Sequence, residues 1–568
     1  MRRCVARMLA VAMCVTVMGG SAEASAAAKP KLSKKKLSLT IGGTKKLKVT
    51  KAKGAKITWK SNKKKVVAVK KSGKYGGKVT AKAKGKAVIT CKVKGKKTYS
   101  LKCTVTVDKK KTPSVKIPTP TSSVQTPTPT PPAQTQTPGN TATVGPEENS
   151  PAPSAPVVSD PGLKPDLTSN SIRKRYQGIF QYMGSSLNYA GWRGNNDLQD
   201  ENTLAFVKEN FNSFTLEDEM KPNDVLGTWN HQTITKEEAL ELGYVIPDNY
   251  EESKVPKLNL DKLDQILEVA YNNGLKMRAH VLTWHQQTPD WFFTRNYSGS
   301  KVVTPEIMDA RLEFYIRTVM KHMMEKEKEI CGEAGKIIYV WDVTNEYLHR
   351  DNAPGSKTWV TVYGDLGLEP TYVKKAFEFA YDMLKQYGVQ DKVTLFYNDY
   401  DTYFCSDDLV SLVNYINEGE EARICGGIGM QTHVDVDRPT LEEYGAAMDK
   451  FLATGLEVQV TEMDVTTNFD PDNQGKLTNE GQTDEDQAKY VEDLMKMIVK
   501  KQKQRDKTVS PKGITGITIW GLCDAYSWRG PGPQKTNPNF KPLLFGESIN
   551  DPKPSFQAFI DAAKLWVE

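Results

Sequence analysis

Short apolar segments alternate with amphipathic ones over the last 400 or so residues, and this alternation constrains the fold more than any other feature. Each apolar segment is typical of a strand buried on both faces. Helical patterns lie between them, such as 261–274 and the helix start at Thr304-Pro305-Glu306. The predicted strands are 177–183, 213–215, 276–283, 337–343, 393–397, 427–431, 457–461 and 516–520. Eight strands with intervening helices close naturally into an α/β fold, the (β/α)8 or TIM barrel.

Charge divides the chain into a basic and an acidic part. Residues 29–107 contain 27 lysines and no arginine, aspartate or glutamate, so they carry +27. Subtracting this charge and the +2 of residues 1–28 from the net +10 leaves −19 for the other 461 residues. This distribution excludes a uniformly basic nucleic-acid-binding protein. The longest apolar run, 8–19, is too short for a bilayer, so we expect no membrane span.

The chain begins with the features of an export signal. Three arginines among the first seven residues precede the apolar run, and Ala22-Glu23-Ala24 offers a small-residue cleavage site. We predict a signal peptide over residues 1–28 and a secreted, extracellular protein. Whether it stays associated with the cell surface is left open.

Proline and threonine dominate the segment between the basic and the acidic part. Runs such as 118–121 (PTPT) and 126–129 (TPTP) contain few large apolar side chains. Such a segment buries too little surface to offset its chain entropy, and its prolines favour extended conformations. We predict a semi-stiff linker over residues 109–165.

The basic part shows the period-two pattern of short strands separated by glycine-rich turns. Its segments 59–62 (WKSN), 67–69 (VAV), 77–81 (GKVTA) and 85–90 (GKAVIT) resemble the bacterial immunoglobulin-like domain of group 2. The resemblance implies a small all-β immunoglobulin-like sandwich over residues 29–108, ahead of the catalytic barrel.

The lysines of this part alternate with apolar residues, so many of them project outward from the strands. Two interpretations stay open: a solvated spacer, or adhesion to an anionic cell-wall polymer by a salt-dependent charge effect. Nucleic acid is a weaker partner, because no arginine can read base edges and only Trp59, Tyr75 and Tyr99 could stack on bases. We therefore expect no nucleic-acid partner.

Six cysteines lie beyond the predicted signal peptide, and export makes disulfides possible. They are Cys91, Cys103, Cys331, Cys405, Cys425 and Cys523. Cys91–Cys103, across a hairpin, and Cys405–Cys425 are the candidate pairs, with buried free thiols as the open alternative. No cysteine or histidine cluster has metal-binding spacing, so we expect no metal and no cofactor.

A (β/α)8 barrel carries its chemistry on the loops that follow the carboxyl ends of its strands. Polar and aromatic side chains stand at these positions after seven of the predicted strands. They are Glu217, Glu219, Lys221, His280, Trp284, His285, Gln287, Asn345, Glu346, Asn398, Tyr400, Gln431, His433, Glu462, Asp464, Trp520, Asp524 and Trp528. We expect them to converge on one rim of the barrel.

The residue types at this rim suit glycoside hydrolysis. One protonated carboxyl delivers a proton to the leaving oxygen, and one carboxylate attacks or stabilises the oxocarbenium-like centre. Amides and imidazoles hydrogen-bond sugar hydroxyls, and indoles stack on sugar rings. The competing chemistry is metal ligation by His280, His285 and His433, which needs three or four ligands that converge on one point.

Ordered motifs then give a specific resemblance. Segments 341–346 (WDVTNE) and 460–464 (VTEMD) resemble the two catalytic signatures of glycoside hydrolase family 10, the retaining endo-β-1,4-xylanases. Further matches are 217–221 (EDEMK), 278–287 (RAHVLTWHQQ), 398–400 (NDY), 429–433 (GMQTH) and 520–529 (WGLCDAYSWR). The resemblance covers about residues 170–566. It implies a catalytic barrel over residues 166–568 and xylan or xylo-oligosaccharides as the substrate.

The resemblance also implies roles for single residues. Glu346 would be the acid/base and Glu462 the nucleophile of a double displacement through a covalent glycosyl-enzyme. His433 and Asp464 would keep Glu462 charged and aimed. The implied substrate-binding residues are Glu217, Lys221, His280, Trp284, Gln287, Asn345, Asn398, Tyr400, Gln431, Trp520 and Trp528.

Two positions depart from the family pattern. Asp218 stands where the family usually has asparagine, and an ionised carboxylate cannot donate a hydrogen bond, so the strength of the upstream sugar subsite is left open. Pro222 stands where many members have tryptophan. Two other functions are less well supported: a non-catalytic carbohydrate-binding barrel would lack one of the two carboxylates, and a related retaining glycanase would act on β-glucan or mixed polymers.

Overall fold

The computed structural model describes residues 29–40, 44–50, 55–72, 76–94, 98–108, 162–191, 194–228, 230–350, 357–436, 438–467, 482–529 and 541–568. These residues fall into two compact units, one with residues 29–108 and one with residues 162–568. The predicted signal peptide and most of the predicted linker lie outside the described residues. The domain boundaries stay predictions.

The first unit consists of strands in two four-stranded sheets. Its strands are β1 (Lys31–Leu32), β2 (Lys36–Thr40), β3 (Thr44–Thr50), β4 (Lys56–Ser61), β5 (Val67–Ser72), β6 (Gly76–Ala81), β7 (Gly85–Lys94) and β8 (Thr98–Asp108). They pair in the orders β1-β3-β6-β5 and β2-β8-β7-β4. Alternate residues of each strand form the core, among them Leu47, Val67, Val79, Ile89 and Val105. The predicted strand-rich character of this part is confirmed.

None of the six cysteines beyond the predicted signal peptide, all of which the structure describes, forms a disulfide. Cys91 lies opposite Leu101 and Cys103 opposite Ile89, so the two thiols are offset by two residues along the hairpin. Diagonal neighbours of this kind lie too far apart for a disulfide. The Cys91–Cys103 pair was therefore a wrong candidate. Cys405–Cys425 was also wrong, because Cys405 contacts the Asp401 carbonyl and Cys425 the Gly427 carbonyl instead.

The second unit is a closed parallel barrel, which confirms the predicted fold class. Its strands are β9 (Tyr182–Leu187), β10 (Ser213–Leu216), β11 (Thr233–Thr235), β12 (Lys254–Pro256), β13 (Lys276–Trp284), β14 (Ile338–Asn345), β15 (Thr394–Asp399), β16 (Gly427–Met430), β17 (His433–Asp435), β18 (Glu457–Thr466) and β19 (Ile514–Ile519). The eight barrel strands run β9-β10-β13-β14-β15-β16-β18-β19, and β19 pairs with β9 to close the ring. The short strands β11 and β12 pair separately, and β17 extends alongside β18.

Helices pack around the outside of this barrel. They are α1 (Ile172–Tyr176), α2 (Glu201–Asn210), α3 (Lys236–Glu241), α4 (Asp261–Asn272), α5 (Pro305–Cys331), α6 (Trp359–Tyr363), α7 (Thr371–Tyr387), α8 (Ser406–Asn417), α9 (Leu441–Ala453), α10 (Asp484–Gln504) and α11 (Pro554–Asp561). Helix α5 begins with Pro305, as its sequence predicted, and ends at left-handed Gly332. In the part of the chain that the structure describes, no helix has the length and apolar character needed to cross a membrane.

The first barrel strand lies about five residues later than predicted. Ser171 caps the short helix α1, which ends in a left-handed turn at Gly178, so strand β9 begins only at Tyr182. Ser185 and Ser186 are buried in this strand. Because serine is polar, a search for apolar segments did not predict that the buried strand extends through these two residues.

A buried ion pair ties neighbouring barrel strands together below the rim. Arg278 on β13 donates from Nε to Asp342 Oδ2 on β14 at 2.9 Å and from Nη1 to Gln459 Oε1 on β18 at 2.8 Å. Arg278 is 1% exposed and Asp342 is 0% exposed. Burial alone would raise the pKa of Asp342, but the charge of Arg278 lowers it. The pair therefore stays ionised inside the barrel.

Replacing Arg278 by methionine should destabilise the protein by about 3–5 kcal/mol, because the Asp342 carboxylate would stay buried without its partner. The free energy of unfolding is measured by denaturant titration. The matched control is Lys385→Met, which removes the exposed Lys385–Asp382 pair and should leave the free energy of unfolding nearly unchanged. Equal losses in the two variants would contradict this assignment.

Candidate active site

Two carboxylates share a polar cluster at the carboxyl end of the barrel. Glu346 follows β14 and is 6% exposed, and Glu462 lies on β18 and is 5% exposed. Three amides connect them: Asn345 Oδ1 accepts from Asn398 Nδ2 at 2.9 Å and from Gln431 Nε2 at 3.1 Å. Because the amides contact both acids, the two carboxylates lie at one site.

Glu346 has neutral donors around its carboxyl group. Trp284 Nε1 lies 2.8 Å from Glu346 Oε2, and the amide nitrogens of Asn345 and Gln431 each lie 3.0 Å from Glu346 Oε1. Burial raises the pKa of Glu346 to about 7, and the negative charges of Asp399 and Glu462 act in the same direction. Glu346 therefore holds a proton through the acidic range and up to about neutrality.

Glu462 has the opposite electrostatic surroundings. Asn398 Nδ2 donates to Glu462 Oε1 at 2.7 Å, and His433 Nε2 lies 3.3 Å from Glu462 Oε2. Burial would raise the pKa of Glu462, but the His433 hydrogen bond and the charges of His280, His433 and Lys221 outweigh it and lower that pKa. Glu462 is therefore ionised where Glu346 is protonated.

His433 is held between two carboxylates. Its Nδ1 lies 2.9 Å from Asp464 Oδ2 on β18. Asp464 also accepts from Trp528 Nε1 at 2.9 Å and from Arg529 Nη1 at 2.8 Å. Burial opposes protonation of His433, but the charge of Asp464 raises the His433 pKa to about 9. The imidazolium therefore faces Glu462 at neutral pH.

Aromatic side chains line the walls around the two acids. Lys221 Nζ lies 5.0 Å from the centre of the Trp284 ring. Trp520 is edge-on to His280 and His433, with ring centres 5.8 Å and 6.3 Å apart. Trp528 is 43% exposed, so much of its indole remains available to a ligand.

A second cluster of polar side chains follows the carboxyl end of strand β10. Glu217 Oε2 accepts from Asn188 Nδ2 at 2.8 Å. Asp218 Oδ1 lies 3.9 Å from Lys221 Nζ and 3.5 Å from Gln287 Nε2, and its buried Oδ2 has no hydrogen-bond partner. A carboxylate thus sits among the predicted sugar-binding side chains, where it can accept hydrogen bonds but not donate them.

The three histidines considered for metal ligation do not act together. His280 Nδ1 lies 3.0 Å from Asp342 Oδ2, and His433 bonds two other carboxylates. The buried nitrogens of His285 have no hydrogen-bond partner, and burial lowers the His285 pKa to about 4. Within the described ranges, no group of three or more His, Cys, Asp or Glu side chains is arranged to hold a metal ion.

Sequence analysis missed several contributors to the site. Asn188 bonds Glu217 from a segment that carries no motif, and Arg529, the last residue of the 520–529 motif, bonds Asp464 without having been assigned a role. Asp399, inside the quoted 398–400 motif, raises the pKa of Glu346 by its charge. His349 stacks on the predicted site residue Tyr400, with ring centres 3.9 Å apart. Its position three residues after Glu346 was the one available clue.

Comparison with known proteins agrees with this geometry. An endo-1,4-beta-xylanase A of Butyrivibrio fibrisolvens is 39% identical over 398 residues, which cover 70% of this chain and 85% of that protein. A bifunctional endo-1,4-beta-xylanase of Ruminococcus flavefaciens is 29% identical over 63% of this chain and 31% of that protein. The solved CBM22-1–GH10 modules of a Clostridium thermocellum endo-1,4-beta-D-xylanase, complexed with xylohexaose, superpose with a TM-score of 0.51 at 26% identity, covering 69% of this chain and 67% of that one.

A parallel (β/α)8 barrel with a protonated and an ionised carboxyl at its mouth, surrounded by amides and indoles, defines a glycoside hydrolase. The family model for glycosyl hydrolase family 10 matches residues 171–562. This match covers more than half of the chain, and the chain therefore belongs to that family.

Replacing Asp464 by asparagine should lower the pKa of His433 from about 9 toward 6.5, a fall of about 1–2 units, because the charge that holds the proton is gone. The titration of the His433 ring is followed by NMR. The control is Asp290→Asn, at an exposed ion pair with Lys357, which should leave His433 unchanged. An unaltered His433 titration in D464N would sink this account of its charge.

Proposed function

We propose that this protein is a secreted, retaining endo-β-1,4-xylanase that cleaves internal bonds of xylan. The observation that carries this proposal is the opposite ionisation of two buried carboxylates at one site. The names of the xylanase relatives support xylan as the substrate class. The predicted signal peptide supports export.

The first step is attack by Glu462 on the anomeric carbon. A covalent glycosyl-enzyme bond forms, and the bond to the leaving oxygen breaks. The proton of Glu346 moves to that oxygen, so that the leaving sugar departs as a neutral alcohol. The pKa of Glu346, raised by burial to about 7, keeps this proton available in acidic and near-neutral solution.

The second step uses the same two groups in reverse. Glu346, now ionised, removes a proton from a water molecule, which attacks the anomeric carbon and releases Glu462. His433, charged through Asp464, stabilises Glu462 both as the free carboxylate and as the leaving group. Net retention of anomeric configuration follows from the two inversions.

The remaining site residues divide between orientation and binding. Asn345, whose amide nitrogen lies 3.0 Å from Glu346 Oε1, is assigned to the 2-hydroxyl of the sugar under attack. Gln431 and Asn398 hold the carboxylates through their amide hydrogen bonds, and Tyr400 is assigned to the wall of the cleft. The sugars upstream of the cut are assigned to Glu217, Lys221, His280, Trp284, Gln287, Trp520 and Trp528.

Glu462→Ala should abolish xylan cleavage, a loss of about 10⁴-fold or more, because no nucleophile remains. Glu346→Ala should retain the first step on aryl xylosides with a good leaving group, and added azide should accelerate the second step, because azide attacks the glycosyl-enzyme without a base to remove a proton. Product release from xylan, β-glucan and cellulose is measured side by side, with the anomeric configuration followed by NMR.

The control for both variants is Glu268→Ala, which removes an exposed carboxylate paired with Lys326 on the outer surface and should keep full activity. Circular dichroism checks that each variant is folded. Undiminished polymer cleavage by a folded Glu462→Ala or Glu346→Ala protein would reject the assigned roles. Preference for β-glucan over xylan would reject the substrate.

We further propose that residues 29–108 form an immunoglobulin-like domain that adheres to an anionic cell-wall polymer. Exposed lysines share one face of the sheet β2-β8-β7-β4. They are Lys36, Lys56, Lys60, Lys86, Lys92, Lys94 and Lys102. Directly opposite partners in the register, such as Lys56 and Lys94 or Lys36 and Thr104, lie on the same face.

This lysine face suits a repeating polyanion. Neighbouring strands lie about 4.8 Å apart and alternate residues about 6.7 Å apart, so the ammonium groups form a grid rather than a single point charge. Residues 29–107 contain no acidic side chain to neutralise them. Attraction of this type weakens as salt shortens the Debye length from about 10 Å at 0.1 M to about 3 Å at 1 M.

Four glutamine substitutions, at Lys36, Lys92, Lys94 and Lys102, should release the full-length protein from purified bacterial cell walls at low salt. Wild type should remain bound there and elute by 1 M NaCl. The matched control places the same four-charge loss on the other sheet, at Lys45, Lys48, Lys70 and Lys78, and should stay bound. This mode of adhesion would be excluded if the wild-type protein bound equally well at low and high salt. It would also be excluded if the protein still bound walls from which the anionic polymers had been removed.

A further inference from the structure

The turn that follows β14 is fastened to β15 by a side chain with no assigned role. His349 Nδ1 lies 2.8 Å from Asp399 Oδ1, and its ring stacks on Tyr400. Asp399 is fully buried and also accepts a hydrogen bond from Tyr397 Oη and, at 2.8 Å, from the Tyr400 backbone N–H. The Leu348 backbone N–H also donates to Asp399, at 3.3 Å, so four donors converge on one carboxylate beside the site.

The backbone of Glu346 has an unfavourable conformation that its neighbours must stabilise. It adopts a left-handed conformation, with φ of 57° and ψ of 33°, which is unfavourable for a residue with a Cβ. Its N–H donates to the Asn398 carbonyl at 2.9 Å, and the His349 N–H donates to the Glu346 carbonyl at 3.0 Å. The Glu346 turn is therefore bonded to β15 at two points, through the Glu346 N–H to Asn398 and through the His349 imidazole to Asp399.

The charges that face Glu346 come from several elements. From β15 comes the negative charge of Asp399, from β18 that of Glu462, and from its own turn the imidazole of His349. Trp284 on β13 and Gln431 after β16 contribute neutral donors. Further out, Arg350 is paired with Asp365. His349 is thus the positive group on the Glu346 turn, and it pairs directly with Asp399.

We propose that His349 is a positioning residue that fixes the Glu346 turn on β15 through Asp399 and offsets the Asp399 charge felt by Glu346. This inference rests on the proposed acid role of Glu346. It concerns a residue outside the quoted family motifs, at a position that the resemblance leaves without a function.

The protonation state of His349 supports the proposal. Burial opposes its charge, but the Asp399 carboxylate outweighs burial and raises the His349 pKa to about 9. The imidazolium is therefore present throughout the range in which Glu346 loses its proton. Without the imidazolium, the Asp399 carboxylate still accepts hydrogen bonds from Tyr397 Oη and from the backbone N–H groups of Tyr400 and Leu348.

Loss of the His349 charge should raise the pKa of Glu346. An unscreened Asp399 charge favours the protonated form of Glu346, so the pKa of Glu346 rises. A general acid is active below its pKa, and the alkaline limb of kcat/KM therefore moves to higher pH. His349→Asn keeps a donor for Asp399 but removes the charge, and it should shift this limb upward by about 0.5–1 pH unit.

The double variant His349→Asn/Asp399→Asn removes both charges and should return the limb toward the wild-type position. The matched control is His322→Gln, which breaks a similar histidine–carboxylate pair, His322 Nε2 to Asp264 Oδ1 at 2.7 Å, on the outer helices. It should leave the profile unchanged. All variants are full-length proteins whose melting temperatures are measured, so that unfolding is recognised.

A second measurement does not depend on catalysis. The Glu346 carboxyl is titrated by carbon-13 NMR in wild type and His349→Asn, and the same upward shift is expected. Equal Glu346 titration in the two proteins, or a downward shift, would overturn the role of His349. Absence of xylan cleavage by wild type would instead overturn the proposed function, and the NMR titration would still decide the inference.

Discussion

Three amide side chains hold the two acids of this protein in one hydrogen-bonded cluster, and the rest of the site depends on that cluster. Asn398 donates to both Glu462 and Asn345, and Gln431 donates to both Asn345 and Glu346. Each amide has one acceptor and two donors in fixed positions, so the network permits few alternative arrangements. The parallel barrel supplies the condition for it, because the amides come from β14, β15 and the segment after β16.

Within this cluster the same residue type has two opposite protonation states. Both glutamates are buried, and burial alone would make both of them neutral. His433, held charged by Asp464, reverses this effect for Glu462, whereas the donors that contact Glu346 are neutral. The division of labour between an acid and a nucleophile is thus set by which carboxylate faces the imidazolium. No change in residue type was required.

Much of the fold could be predicted from local patterns. Helix α5 begins at the predicted Thr304-Pro305 boundary, because proline is favoured in a first turn and these signals are local. Strand β9 was misplaced because Ser185 and Ser186 are polar in a buried strand. The Cys91–Cys103 candidate was wrong because the number of residues between two cysteines does not determine the strand register. In the observed register of β7 and β8, the two cysteines are offset by two residues.

The sequence by itself determined the barrel class, the separation into a basic and an acidic part, and the strand ends at which Glu346 and Glu462 stand. These follow from periodicity, composition and ordered motifs, all of which are properties of short segments. Only the tertiary structure decided which groups surround each acid. The contribution of three of these residues depends on contacts with residues that are distant in sequence or brought close by the backbone. They are Asp399, His349 and Asn188. Electrostatic effects depend on distance and burial, which the order of residues alone does not contain.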